Sequence, residues 1–528
     1  MSLFPMISGQ ARVRLVQAGA GFLAAALVAG CGAGYRPVVT PINPSGPAQQ
    51  PSAFAIVVSS PSPTSPGIAT IIDYAGDTVM ALAPIGPGPL AFTADGTGSN
   101  GYTLNSDGTL TNFPISSQLQ EKNVVYSTLP TNSQPYGLFS PSAGLWAADL
   151  NGNVIDVLTG SPETFRLAIP VAPTPISVVG PSSTGQHEYA ISQNSTGTAP
   201  ANAIPYGVAC NTAPSSVTQN GEADAMEVAS YTVSARIPLG KCPVYGLTSG
   251  DGQRLFILNR GSDTVSVINV QENALDECTP FTNQNGQTVT CHPMLPLSTT
   301  AVTGTGIVPP NCNLATDPTC GGMPAAAGPV YAEYNQASGQ LVVADYDGGT
   351  ISVIDVSLDE YGNDSQTFGT TYTIKVGNTA TPYPAAVTVL NDGSRAYTAN
   401  QGDDGGTGNG TVSIVNLSSH TVEKTLAVVG HPRTVVSTAN SLYGKVYVAS
   451  PDSPYLTIVR TDQDIVDTTV LVQGNIVDVR GSNQNGVSGN AIVSSRRPGA
   501  GQPCYLPPNL EPAPTGTQTA LQVCQTLP

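Results

Sequence analysis

Nine cysteines, four histidines and 35 acidic side chains are what this 528-residue chain offers for nucleophilic, acid–base or metal chemistry. Few of them fall at the spacings such chemistry needs. Gly96-Thr-Gly-Ser-Asn-Gly101 fits the G-x-G-x-x-G pattern of a dinucleotide loop, but strand-like Tyr102-Thr-Leu104 follows where a helix N-terminus would receive the pyrophosphate. A turn is expected there. Asp345-Tyr-Asp347-Gly-Gly begins like a calcium loop, yet its later ligand positions are Gly349 and Val356. Asp403-Asp404 is a second calcium candidate and reads as a solvated hairpin tip. Calcium is the one cofactor left open. No Cys-x-x-Cys occurs and only His292 adjoins a cysteine, so zinc-ligand spacing is absent. There is no G-x-S-x-G elbow, and His187, His292, His420 and His431 stand at unrelated positions. No catalytic residue is assigned.

One constellation remains. Tyr136, Tyr245 and Tyr331 each lie close to a proline that opens a strand-like run; His431 and Arg433 flank Pro432, and Asp478 and Arg480 share a late strand. If those strands line a channel, aromatic faces with a few polar groups at its mouth could hold a sugar or a peptide end. The alternative is that the tyrosines fill a tapering core and hydrogen-bond within it.

What must position these residues is a repeat. Asp251-Gly-Gln-Arg-Leu-Phe-Ile-Leu-Asn259 leads to Val265-Ser-Val-Ile-Asn269, and Gly339-Gln-Leu-Val-Val-Ala-Asp345 to Ile351-Ser-Val-Ile-Asp355. Asp392-Gly-Ser-Arg-Ala-Tyr-Thr-Ala-Asn400 leads to Thr411-Val-Ser-Ile-Val-Asn416, and Leu442-Tyr-Gly-Lys-Val-Tyr-Val-Ala-Ser450 to Leu456-Thr-Ile-Val459. Short β-branched runs bounded by Gly, Asn and Asp are strands and hairpins, and proline suits the first residue of a strand. No helical period is sustained. Four strands recurring at roughly 40–55 residues predict β-propeller blades, each needing a neighbour on both faces.

Tyr397-Thr-Ala-Asn400 and Tyr447-Val-Ala-Ser450, with the trailing Val-Ser-Val-Ile-Asn, resemble the YVTN family of β-propeller repeat proteins. The likeness is specific from about Pro243 to Gly474 and fades toward the N-terminus. It implies a seven- or eight-bladed extracytoplasmic propeller, usually without assigned chemistry. Prolines 89, 135, 175, 243, 329, 384 and 432 open seven units. Leftover strands at Phe54–Val58, Ala69–Ile72 and Thr78–Leu82, with Ile476–Arg480 and Ala491–Ser494, predict an eighth that latches both chain ends. The expected fold is therefore all-β: a single eight-bladed propeller closed by strands from both termini, with seven blades the alternative. It covers 54–500, with insertions at about 194–222 and 271–328.

The first 53 residues read as an address. Arg12 and Arg14 precede an apolar, small-residue stretch, as in a secretory signal. Leu27-Val28-Ala29-Gly30-Cys31 resembles the lipobox of bacterial lipoproteins, which implies cleavage before Cys31 and acylation of its thiol. The alternative is a retained spanning segment. Residues 31–53 carry five prolines and read as a semi-rigid tether. Eight cysteines remain, and nearest-neighbour pairing predicts Cys210–Cys242, Cys278–Cys291, Cys312–Cys320 and Cys504–Cys524, the last stapling a tail at 501–528.

Only 10% of residues are charged, and the net charge of −17 disfavours nucleic acid as a partner. The reading is a lipid-anchored propeller facing the periplasm or cell surface. Its partners are the bilayer, through Cys31, and an envelope protein or carbohydrate. The rival is a lactonase-like hydrolase with a metal held in the channel by Asp478 and Glu333. A third reading uses the insertions as contact loops on a rigid scaffold.

Overall fold

The computed structural model describes residues 53–482 except 63, 141–143, 181–185, 195–218, 284–285, 298–326, 407 and 439–443. Between Pro89 and Leu471 the described residues make seven antiparallel blades in sequence order, each built as a meander from an inner to an outer strand, besides a two-stranded hairpin of Phe281–Thr282 and Thr288–Val289. They are numbered here as blades 2 to 8. Their inner strands are Pro89–Ala94, Pro135–Phe139, Pro175–Val179, Pro243–Thr248, Pro329–Asn335, Pro384–Val389 and Thr434–Ser437. Blade 1 is composite. Phe54–Ser60, Pro66–Asp73 and Val79–Pro87 supply three strands, and Asn475–Gly481 adds the innermost, antiparallel to Phe54–Ser60 with Val57 opposite Val479. Inner strands contact one another in succession around all eight blades and back to the first. The ring is closed and has eight blades.

Burial follows from this arrangement. Inner and middle strands are covered on both faces by neighbouring blades, so Arg254–Asn259 and Arg395–Asn400 are buried throughout. Outer strands such as Thr164–Pro170 and Thr421–Val428 meet solvent. Among the described residues the only helical element is the single turn Glu121–Asn123.

The opening prolines have a local consequence. In six blades the ladder slips between the proline and the second residue after it, beginning with Pro89/Ala91 and Pro135/Gly137 and continuing through Pro384/Ala386. A residue without an N–H cannot hold the ladder, and the extra residue is the β-bulge that results. Blade 1 shows the same slip opposite Val477, without a proline. Residues beyond the bulge return to regular alternation, which fixes which side chains of each inner strand share a face.

Two expectations are corrected. The stretch 271–328 is not wholly outside the blades: Ala274–Leu275 and Met294–Pro296 both pair with Thr264–Asn269 and together complete the outer edge of blade 5. The stretch 194–222 overlaps the third strand of blade 4, Asn220–Glu227. The Cys278–Cys291 disulfide staples the intervening loop as predicted. Cys242 is also disulfide-bonded. Cys31, Cys210, Cys312, Cys320, Cys504 and Cys524, like Ala491–Ser494, lie outside the described residues.

Candidate functional site

The blades are locked together by side chains that also decide which groups are left for chemistry. Asn105, Asn259 and Asn400 end the second strand of their blades and donate through Nδ2 to paired hydroxyls on the third strand. These are Thr109 and Thr111, Thr264 and Ser266, and Thr411 and Ser413, at 2.8–3.2 Å. The second hydroxyl of each pair also accepts a backbone N–H from the preceding blade: Gly86, Gly240 and Gly377. In blade 6 the same place is held by Asp345, which accepts from Thr350 and Ser352. Complete burial pushes its carboxyl up to about 8.

A second lock joins neighbouring blades. Tyr397 and Arg395 of blade 7 both bind Asp464, in the turn before the outer strand of blade 8. Tyr447 and Lys445 of blade 8 bind Asp77 in the matching turn of blade 1. Tyr189 of blade 4 donates to Asn273 of blade 5. Asp77, Asn273 and Asp464 all have positive φ, which Asp and Asn tolerate better than most residues. The tyrosine of each YVTN-like phrase is therefore a clamp between blades, and Asn400 ties its own blade together.

The four calcium-candidate carboxylates each have partners within the protein. Asp345 is enclosed, Asp347 forms an ion pair with Arg260, and Asp403 accepts from the N–H groups of Asn378 and Thr379 and from Thr411 Oγ1. Asp404 caps Gly406 on an exposed turn. Among the described residues no group of three or more His, Cys, Asp or Glu side chains could hold a metal ion. The G-x-G-x-x-G segment is a turn, with the Asp95 carboxylate accepting from the N–H groups of Thr97, Ser99 and Asn100.

Four of the predicted channel residues come together. Tyr245 and Tyr331 occupy the same position on the inner strands of blades 5 and 6, with ring centroids 4.6 Å apart. Asp478 and Arg480 share a face of the blade 1 inner strand, across the ring from those blades. Arg480 Nε and Nη2 both reach Asp478 Oδ2, at 3.0 and 2.9 Å. Asp478 Oδ1 accepts the Val479 N–H. Burial works against the charge of Arg480, but Asp478 and the phenols of Tyr331 and Tyr245 outweigh it and hold the pKa above the ordinary value. The guanidinium thus lies within electrostatic reach of both tyrosines.

The other three behave differently. Arg433 sits at the bulge position of blade 8, where other blades place Leu90, Ile176, Val244, Val330 or Ala385, and donates through Nη2 to the Val477 carbonyl at 2.7 Å. Tyr136 also stands at the bulge position, one residue before the place of Tyr245 and Tyr331, and is enclosed in the hydrophobic core with Ile176 and Val244. Counting residues from the proline separates it from the other two tyrosines. His431 is an edge group: its Nδ1 lies 2.6 Å from Asp452 Oδ2, and its N–H bonds the same carboxylate. Those bonds hold the Asp452 pKa below the usual carboxylate range although burial opposes them.

At the end of the ring where the inner strands begin, a cavity of about 290 Å³ opens between blades 2 and 3. Leu90, Leu104 and Leu150 floor it, and Ser106, Asp107 and Gln134 rim it. Its residues come from strands and turns of two blades and carry no shared spacing, so the sequence gives no sign of it.

No protein-family model and no curated protein matches the chain. Solved structures do. Apo AztD from Citrobacter koseri is 12% identical, covering 84% of this chain and 98% of its own, with a TM-score of 0.49. A candidate 6-phosphogluconolactonase from Bacteroides fragilis is 14% identical over 83% and 99%, at 0.47. The dihydro-heme d1 dehydrogenase NirN, in complex with DHE, is 14% identical over 85% and 79%, at 0.49. At these identities and TM-scores the likeness says nothing of what this chain binds or does.

Proposed function

We propose that this chain is an extracytoplasmic lipoprotein of the YVTN-repeat kind. It is anchored through acylated Cys31, and its propeller binds an envelope protein or carbohydrate rather than turning over a substrate. The observation that carries the reading is the state of Asp478. A channel metal of the lactonase kind would depend on this carboxylate, and both of its oxygens are engaged, one by Arg480 and the other by a backbone N–H. Releasing it would leave a buried guanidinium without its counter-charge, a change that costs about 3–5 kcal/mol in buried pairs. The tether and signal readings rest on the small-residue run ending at Cys31 and the prolines that follow.

Metal analysis of the purified full-length protein, paired with a lactone-hydrolysis screen, tests the binding role. Neither stoichiometric metal nor turnover is expected; calcium or zinc at one per chain with turnover contradicts it. Cys31→Ala is expected to move the protein from the membrane fraction to the soluble one. Retention in the membrane would contradict acylation as the anchor and favour a spanning segment.

A further inference from the structure

We infer that the inward faces of blades 8 and 1 form a carboxylate-binding site in the central channel, with Arg480 Nη1 and Thr434 Oγ1 as its donors. The inference rests on the binding-module reading above and names the chemistry of its ligand. A guanidinium carries five N–H donors in a fixed fork. Two of Arg480's nitrogens are spent on a single oxygen of Asp478, and Nη1 is buried with no partner. On the adjacent inner strand, Thr434 stands at the position that Asp478 holds in blade 1, and its Oγ1 is likewise buried and unpartnered. Buried donors usually find an acceptor, and these two, like Ser177 Oγ at the equivalent position of blade 4, have none. Two on neighbouring strands at the centre of the ring describe a place for an acceptor.

The shape of the surroundings selects the acceptor. Tyr245 and Tyr331 stand across the channel as an aromatic wall. The equivalent positions of blades 2, 3, 4 and 7 carry Ala91, Gly137, Ser177 and Ala386, which are small. Arg433 and Arg480 are balanced by Asp478 and the half-buried Glu333, so net positive charge does not drive binding. Recognition comes instead from two directed donors. A planar carboxylate offers two oxygens, one to the guanidinium Nη1 in a charge-assisted hydrogen bond and the other to the hydroxyl.

The test is titration of the full-length protein with succinate, read by calorimetry and by the tyrosine absorbance difference. Succinamide serves as the uncharged control and inorganic phosphate as the competing anion. Saturable succinate binding is expected, with succinamide and phosphate at least tenfold weaker. Arg480→Gln is expected to weaken succinate at least tenfold and Thr434→Val severalfold, while Arg236→Gln on the exposed outer strand of blade 4 leaves it unchanged. Absence of succinate binding, preference for phosphate, or equal affinity in Thr434→Val each overturns the inference. Thr434→Val removes only the hydroxyl and keeps the test open should Arg480→Gln fail to fold. Metal-dependent lactone turnover would instead remove the binding-module reading itself, so the two failures are distinguishable.

Discussion

Asp345 shows how a single atom changes a conserved role within the repeat. Three blades place an asparagine there, whose Nδ2 donates to two hydroxyls. Asp345 must instead be the acceptor, and its Oδ1 is buried with no partner. Its carboxyl titrates near 8 when folded and near the ordinary value of 3.8 when unfolded. The folded state therefore holds the extra proton, and stability is lost as pH rises from about 4 through 8. Asp345→Asn is expected to raise stability by on the order of 2–4 kcal/mol at pH 8 and by little at pH 4. Thermal melts of both proteins across that range check it; equal gains at both pH values would contradict the assignment. Glu188 is a second case. It is fully buried between blades, with both carboxylate oxygens unpartnered, and burial raises its pKa well above the ordinary value. Blades 5 and 6 place Leu255 and Leu341 at that position. Glu188→Leu is expected to stabilise the protein increasingly as pH rises above about 5, since the desolvated carboxyl contributes its penalty only where the unfolded chain would ionise it. A pH-independent change in melting temperature would contradict this.

Strands, turns and locks were legible to different degrees. The inner strands announce themselves because proline punctuates each start, and hydrophobic runs between turn residues mark the next two strands. Outer strands are harder, because Thr164–Pro170 and Thr421–Val428 face solvent and carry no continuous apolar run. In blade 5 the outer edge is assembled from two short pieces around a disulfide loop, an arrangement decided by tertiary pairing. The clamp between blades had a sequence signal that strand patterning alone passes over. Arg254, Arg395 and Lys445 each stand two residues before an aromatic, and all three are buried and ion-paired to the next blade. Their partners sit in turns of variable length, which is why alignment of strands does not reveal them. Breaking the blade 7–8 ion pair with Arg395→Ala leaves buried Asp464 with the Tyr397 hydroxyl but no counter-charge, so a loss of about 3–5 kcal/mol is expected. Arg395→Met with Asp464→Leu is expected to recover most of it. Denaturant titration distinguishes the two variants; an equal loss in both would show that the charge pair itself, rather than an orphaned carboxylate, carries the stability.

At the scale of the whole molecule, the strands between Phe54 and Gly481 make one ring because no blade can cover its own faces. The closing contact joins positions more than 400 residues apart, with Ser482 Oγ accepting the Phe54 N–H at 2.9 Å and Ser482 N–H donating to the Phe54 carbonyl. That closure was readable because seven complete units left unpaired strands at both ends of the chain. It also places Asp478 and Arg480 at the centre, so the site depends on the latch. Tyr136 parts from Tyr245 and Tyr331 because it stands one residue after its proline, on the bulge itself, and they stand two after theirs. Hydrogen–deuterium exchange of the peptides spanning Phe54–Ser60 and Asn475–Gly481 tests the closed ring most directly. Both strands are predicted to be strongly protected, and Phe54–Ser60 is predicted to lose its protection in a chain truncated after Gly474. Rapid exchange of Asn475–Gly481 in the intact protein, with Phe54–Ser60 still protected, would contradict the closure and the channel site built on it.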